Sequence, residues 1–252
     1  PFEIDKDDKR LALVKELVKR QSCAAAYVNL VGGQDDLVFD GDSIVVDSKG
    51  RLVARAKQFK QDLVLIDVEA TDELEVVGEH HLSKPNDNWQ AWNALVLGLR
   101  DYLHKNGFKS VVLGLSGGID SAVCATIAAD AIGAANVFGV SMPSRYSSDG
   151  SKDDAEDLAE RRGINYRVQP IEELVKPFET SLGLTGLSAE NLQARVRGLI
   201  LMSLSNKDGH LTITTGNKSE LAVGYSTIYG DTVGGYAPLK DVEKSLVWEL
   251  AR

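Results

Sequence analysis

Apolar and polar positions follow one rhythm up to residue 88 and another after it. Between Lys9 and Arg20, Leu11, Leu13, Val14, Leu17 and Val18 recur among basic residues, the one-faced spacing of an amphipathic helix. The period then shortens. Cys23 to Val31 is apolar, Leu37 to Phe39 and Ser43 to Asp47 alternate, a turn at Asp47 to Gly50 leads to Leu52 to Ala56, and Leu63 to Val68 supplies another strand pattern. Gly32, Gly33 and Gly41 suit sharp connections between these strands. Glu69 to Asn88 is acidic, contains Pro85 and lacks apolar periodicity, so residues 71–88 are expected to link two domains, 1–70 and 89–252.

From Trp89 onward helical and strand patterns alternate. Ala91 to Lys105 predicts a long amphipathic helix, Ser110 to Leu115 a strand and Ser121 to Ile132 a helix of small residues. Strands at Asn136 to Met142, Asn165 to Val168 and Leu211 to Thr215 are interleaved with helices at Ser151 to Arg162, Ile171 to Ser181 and Asn191 to Ser205. Such alternation implies right-handed crossovers and an α/β fold with a doubly wound parallel sheet, whose ligands bind at the carboxyl ends of the strands.

Composition narrows the classes. At 252 residues, 43% hydrophobic and 26% charged, the chain is long enough for two cores and is neither disordered nor collagen-like. The longest apolar stretch, Gly107 to Ala135, is broken by Gly117, Gly118, Asp120 and Asp130, so no membrane span is expected. Pro1 to Arg10 has four acids and no apolar signal core, and a cytoplasmic chain is expected. The net charge of −9 is spread over both halves, with 12 basic and 18 acidic residues through Asn88 and 16 and 19 after it. Neither half offers the clustered Lys and Arg that nucleic acid requires. Cys23 and Cys124 stand apart with no ligand-spaced His, which excludes a zinc site or a disulfide framework and suits a reducing compartment. The apolar neighbours of Cys23 predict a buried side chain.

The chemistry concentrates in Val111-Val112-Leu113-Gly114-Leu115-Ser116-Gly117-Gly118-Ile119-Asp120-Ser121, a strand that ends in a glycine turn and opens a helix. Gly117 and Gly118 let the backbone approach an anion and aim successive N–H groups at it, while the helix contributes its positive end. Ser116 and Ser121 add hydroxyl donors. A Walker A loop needs Gly and Lys where this chain has Ile119 and Asp120. An acid beside phosphates makes sense if Mg2+ lies between them.

Ser-Gly-Gly-x-Asp-Ser after a strand resembles the pyrophosphate loop of the AMP-forming ATP pyrophosphatases, with their adenine nucleotide alpha hydrolase-like fold. A second motif selects within that superfamily. Thr214 to Asp231 and Val233-Gly234-Gly235-Tyr236-Ala237-Pro238-Leu239, together with Asn191-Leu192-Gln193-Ala194-Arg195-Val196-Arg197, resemble NAD synthetases over essentially all of Trp89 to Arg252. Pro1-Phe2-Glu3 and Ala25 to Gly41 resemble the latter half of the α/β nitrilase-like glutaminase that precedes the synthetase in glutamine-dependent NAD synthetases.

The resemblance implies ATP-dependent amidation of deamido-NAD to NAD through an adenylated intermediate, releasing AMP and pyrophosphate, with glutamine as the source of ammonia. It implies ATP contacts from Gly114, Leu115, Ser116, Gly117, Gly118, Ile119, Asp120, Ser121, Thr215 and Lys244, with Mg2+ on Asp120 and Glu220. Asn191, Arg195, Tyr225 and Asp231 would line the deamido-NAD site, and Lys6 would lie near the glutamine pocket. No substrate contact is carried over to Ile228 or Gly235, which depart from the single-domain pattern. The glutaminase nucleophile and its Glu and Lys partners would lie upstream of residue 1, so Cys23 is not that nucleophile. The family's flexible substrate loop would follow Arg252. The chain alone is therefore expected to lack glutaminase activity and to have little or no synthesis, and a homo-oligomer is implied for the full-length form. Two alternatives stay open: an ATP pyrophosphatase of GMP synthetase or tRNA-thiolating type, and a nucleotide-binding module without turnover.

Overall fold

Strands buried on both faces read as continuous apolar runs, and Val111-Val112-Leu113 with Val137 to Val140 form the middle of such a sheet. The computed structural model describes residues 1–69, 75–77 and 83–252. They fall into two units, Pro1–Asp101 and Tyr102–Arg252. Half of the expected connection over residues 71–88 lies outside the described residues; within the rest, Glu75–Val77 is a strand and Asp87 opens a helix.

In the first unit, α1 (Lys6–Gln21) is followed by the short strands β1 (Ala25–Tyr27), β2 (Val31–Gln34), β3 (Leu37–Asp40), β4 (Ile44–Val46), β5 (Leu52–Arg55), β6 (Asp67–Glu69) and β7 (Glu75–Val77). β4 is the middle of an antiparallel sheet with β1 and β5, while β2 pairs with β3 and β6 with β7. Val14 and Val18 of α1 pack on Ile44 and Val46, one turn of helix spacing against one face of a strand. α2 (Asp87–Lys105) begins in this unit and ends in the second.

Two expectations for this unit are corrected. Leu63 to Val68 is not a strand as far as residue 66. Leu63 and Leu65 are exposed, so their alternation has no face to bury, and pairing begins only at Asp67. Cys23 is exposed rather than buried, because it lies in the turn just after the left-handed cap Ser22 that ends α1.

The second unit alternates as the pattern predicts: β8 (Val111–Gly114), α3 (Ile119–Ile132), β9 (Val137–Ser141), α4 (Asp149–Arg162), β10 (Asn165–Val168), α5 (Glu172–Leu182), α6 (Leu187–Asp208), β11 (Leu211–Thr212), α7 (Lys218–Val223) and α8 (Lys244–Leu250). All four strands are parallel, in the order β10-β9-β8-β11. α3 and α4 pack on β8, β9 and β10, whereas α6 packs on β8 and β11 and carries α5. On the α6 side, Val112 and Val140 meet Val175, Val196 and Leu201. Gly139 is required in β9 because the Leu115 side chain fills the place of its missing one: a Cβ there would lie 2.3 Å from Leu115 Cδ1.

The chain leaves β8 toward β9 and β10 on one side, and β11 later adds on the other. The order therefore reverses between β8 and β11, where the loops after the two strands part and leave a crevice. Among the described residues no helix is long and apolar enough to cross a membrane.

Charge in the first unit is buried in pairs. Arg10 donates to both carboxylate oxygens of Asp40, and Asp42, 1% exposed, lies between Arg10 at 3.6 Å and Arg55 at 3.2 Å without a well-formed hydrogen bond. Burial, opposed by Arg55 and Arg10, pushes the Asp42 carboxyl up to about 6. The folded chain thus holds this proton to a higher pH than the unfolded chain, whose carboxyl keeps the ordinary 3.8. The group favours folding fully below that ordinary value and loses its contribution as pH rises through about 6. Relative to Asp42→Asn, the wild-type urea midpoint is expected to fall between about pH 4 and pH 6, and parallel pH curves for the two proteins would contradict this.

Candidate active site

The bend after β8 is built by glycine and by a buried serine. Leu115 N–H still donates to Val140 at 2.9 Å, and the chain then turns through Ser116-Gly117-Gly118 into α3. Gly117 has φ +78°, and a Cβ there would stand 2.2 Å from the carbonyl oxygen of Ser151 in the first turn of α4, so glycine is demanded twice. The Ser121 hydroxyl donates to Gly118 O at 2.8 Å and accepts from Ser116 N–H at 3.3 Å. Its oxygen is thus spent inside the loop and shapes it. Ser116 and Gly118 are exposed, and the first N–H groups of α3, which have no carbonyl partner within the helix, face the same end as the bend. Leu115 is buried, so what it and Gly114 offer a ligand is backbone.

Asn217 ties this bend to the far side of the crevice. It is fully buried at the start of α7, where its Oδ1 accepts from Glu220 N–H at 3.0 Å and its own N–H donates to Glu220 Oε2 at 3.2 Å, a reciprocal cap. Its amide then donates to Asp120 Oδ1 at 3.0 Å. Lys244 Nζ donates to the other Asp120 oxygen, and Lys244 N–H donates to Ser219 Oγ at 3.1 Å, seating α8 on α7. Asn217 therefore joins Glu220 to Asp120, and Asp120 in turn takes Lys244, 124 positions further along the chain. The Asn-x-x-Glu spacing that caps a helix was the signal for Asn217 in the sequence, but nothing there showed its third bond.

A cavity of about 450 Å³ opens beside the bend, walled by Gly114, Ser116, Met142, Arg197, Thr214 and Thr215, with Asp231 at its edge. Of the residues expected at a substrate site, Asp231 lines this cavity, whereas Asn191, Arg195 and Tyr225 do not. Asn191 accepts from the Thr227 hydroxyl at 2.9 Å, Asp231 accepts from Thr227 N–H at 2.7 Å, and Arg195 Nε donates to Ile228 O at 3.2 Å. The bonds of Asn191 and Arg195 bind the loop around residues 225–233 to α6, and that of Asp231 closes the loop on itself; Gly230 lies so close to α6 that a Cβ would be 2.9 Å from Ala194 Cβ. Tyr225 is 76% exposed. Lys6 belongs to the first unit, where its ammonium pairs with Glu3 at 2.7 Å. Met142 and Arg197 join the cavity wall without having been expected there. Cys124 is buried beneath Thr214, and burial pushes its thiol pKa up, so it offers no nucleophile.

A four-stranded parallel sheet with a glycine bend, a helix N-terminus and two carboxylates at its switch point is an open α/β arrangement of the doubly wound kind, with a crevice where such sheets take their ligands. Comparison with known proteins agrees. Residues 91–252 match the family described as NAD synthase, and the chain belongs to that family. It is 46% identical over its whole length to the glutamine-dependent NAD(+) synthetase of Synechocystis, of which it covers 46%. The solved glutamine-dependent NAD+ synthetase of Acinetobacter baumannii, in complex with adenosine diphosphate, superposes on 99% of this chain with a TM-score of 0.94 and 45% identity, and 48% of that chain is covered. The NH3-dependent NAD synthetase of Campylobacter jejuni, in complex with the nitrate ion, matches 66% of this chain and 73% of its own with a TM-score of 0.63 and 34% identity. The chain thus spans about half the length of the glutamine-dependent relatives.

Asn217→Ala removes the cap and the bond to Asp120 together and is expected to lower stability by about 1–3 kcal/mol. Asn217→Asp keeps an oxygen for the cap but sets a second carboxylate against Asp120, and is expected to destabilise as well. Urea unfolding of the two variants checks this, and a wild-type midpoint in either would contradict it.

Proposed function

We propose that residues 89–252 carry the synthetase chemistry of glutamine-dependent NAD synthesis, the amidation of deamido-NAD at the expense of ATP, and that residues 1–70 are part of a nitrilase-like glutaminase joined to them through 71–88. Family membership supports this reading, as does the ADP bound by the Acinetobacter baumannii relative. The observation that carries it is the exposed Ser116 to Gly118 bend with Asp120 held beside it by Asn217 and Lys244.

The obstacle in this reaction is a carboxylate that repels nucleophiles. A nicotinate oxygen attacks the α-phosphorus of ATP, and the bond from that phosphorus to the bridging oxygen breaks with its electron pair leaving on pyrophosphate. Ammonia, released from glutamine in the full-length enzyme, then attacks the activated carbonyl. AMP departs with the bonding pair and a proton goes to solvent, leaving the amide of NAD. The bend's amides and the N-terminus of α3 bind the phosphates and neutralise charge as pyrophosphate leaves. Lys244, poised on Asp120, adds a cation at the same place. Asn191, Arg195 and Asp231 act by holding the loop around Thr227 in shape, which leaves Tyr225 free at the surface.

Two carboxylates supply hard oxygen ligands, the kind Mg2+ prefers, and phosphate and water complete such a set. Among the described residues no group of three or more His, Cys, Asp or Glu could hold a metal. Asp120 and Glu220 would hold Mg2+, and when bound it screens the phosphate charge. A homo-oligomeric full-length protein without nucleic-acid or membrane partners completes the proposal.

Calorimetric titration with ATP, with and without magnesium, tests the binding step. Exchange of labelled pyrophosphate into ATP tests adenylation without needing ammonia. The chain is expected to bind ATP in a magnesium-dependent manner, and Asp120→Ala is expected to weaken that binding about tenfold or more. Exchange that responds to deamido-NAD, and not to xanthosine monophosphate or tRNA, supports the substrate. Absence of ATP binding, or exchange driven by either of the other two, would overturn it.

A further inference from the structure

Arg197 is the one charged residue of the Asn191 to Arg197 motif that nothing above employs. It projects from α6 into the wall of the cavity, where its Nε donates to the carbonyl of Met142 at 3.1 Å, just past the end of β9. Its other N–H groups make no hydrogen bond or ion pair among the described residues. This is unlike the buried arginines of the first unit, Arg10 and Arg55, which lie against Asp40 and Asp42. Burial alone acts on the Arg197 guanidinium and pushes its pKa down, with no carboxylate to offset the cost. A guanidinium anchored through Nε has its two terminal amino groups left as a planar fork, the geometry that grips a phosphate.

Position selects among the phosphates, given the ATP reading proposed above. The bend and the start of α3 take the terminal phosphates, and Lys244 lies with them at Asp120. The apolar lining of the cavity, with Val140, Met142, Leu201 and Ile213, suits the nucleoside. The phosphate next to the nucleoside is the first one. We infer that Arg197 binds the α-phosphate of ATP, the centre at which the adenylate forms, and so places a fixed cation on the phosphorus under attack.

The test is calorimetric titration of this chain and of Arg197→Gln with adenosine, AMP and ATP. The wild type is expected to bind AMP about tenfold or more tightly than adenosine. Arg197→Gln should bind adenosine as the wild type does, lose the preference for AMP, and weaken for ATP by a similar factor. Arg197→Lys, which keeps charge without the fork, should fall between the two and serves as the test if the glutamine variant does not fold. A wild type with no preference for AMP over adenosine overturns the inference. So does a preference that survives in the variants, or an equal loss for adenosine. A wild type that fails to bind ATP at all would instead sink the reading of the site on which this rests.

Discussion

The contact on which the site depends is the amide of Asn217 against the carboxylate of Asp120. Asp120 sits in the first turn of α3, after β8, and Asn217 caps α7, after β11. These are the two strands between which the order of the sheet reverses. A crevice opens there because the connections diverge, and without a tie across it the two loops would be free to move independently. Asn217, which is buried, makes such a tie while closing the cap of its own helix, and Lys244 reaches the same carboxylate from α8. The burial of Asn217 makes each of its bonds costly to leave unmade.

From this tie outward, side chains divide into those spent on shape and those left for a ligand. Ser121 closes the bend, Asn191, Arg195 and Asp231 clamp the loop around Thr227, and Gly117, Gly139 and Gly230 give up side chains so that backbones and Leu115 can approach. The cavity wall offers Ser116, Thr214, Thr215 and Arg197, while Lys244 lies on Asp120. A site of this kind works by holding charge in fixed places rather than through a protein nucleophile, which agrees with the inert, buried Cys124.

Much of the second unit was legible because parallel strands covered on both faces must be apolar throughout, and Val111-Val112-Leu113 or Val137 to Val140 admit few other readings. The glycine bend was legible for a similar reason: only glycine tolerates the angle at Gly117 and the carbonyl of Ser151 against it. Patterns failed where a face depends on what covers it. Leu63 and Leu65 alternate like a strand but are exposed, and Cys23 is exposed in the bend after the cap of α1 although its neighbour Ala25 in β1 packs on the core. Contacts between distant residues were not legible either. That Asn217 holds Asp120, or that Arg197 lacks a carboxylate, follows from how the loops meet and from no local spacing.

The central claim, that the tail of ATP is gripped by the backbone of the bend and by the start of α3, is tested most directly by amide chemical shifts. The chain labelled with nitrogen-15 is titrated with ATP and magnesium. The account predicts that the largest shifts fall on the amides of Ser116, Gly117, Gly118, Ile119 and Asp120, with lesser ones at Thr215 and Lys244 and none in Pro1–Asp101. Shifts centred elsewhere, with these amides unmoved while ATP binds, would contradict it.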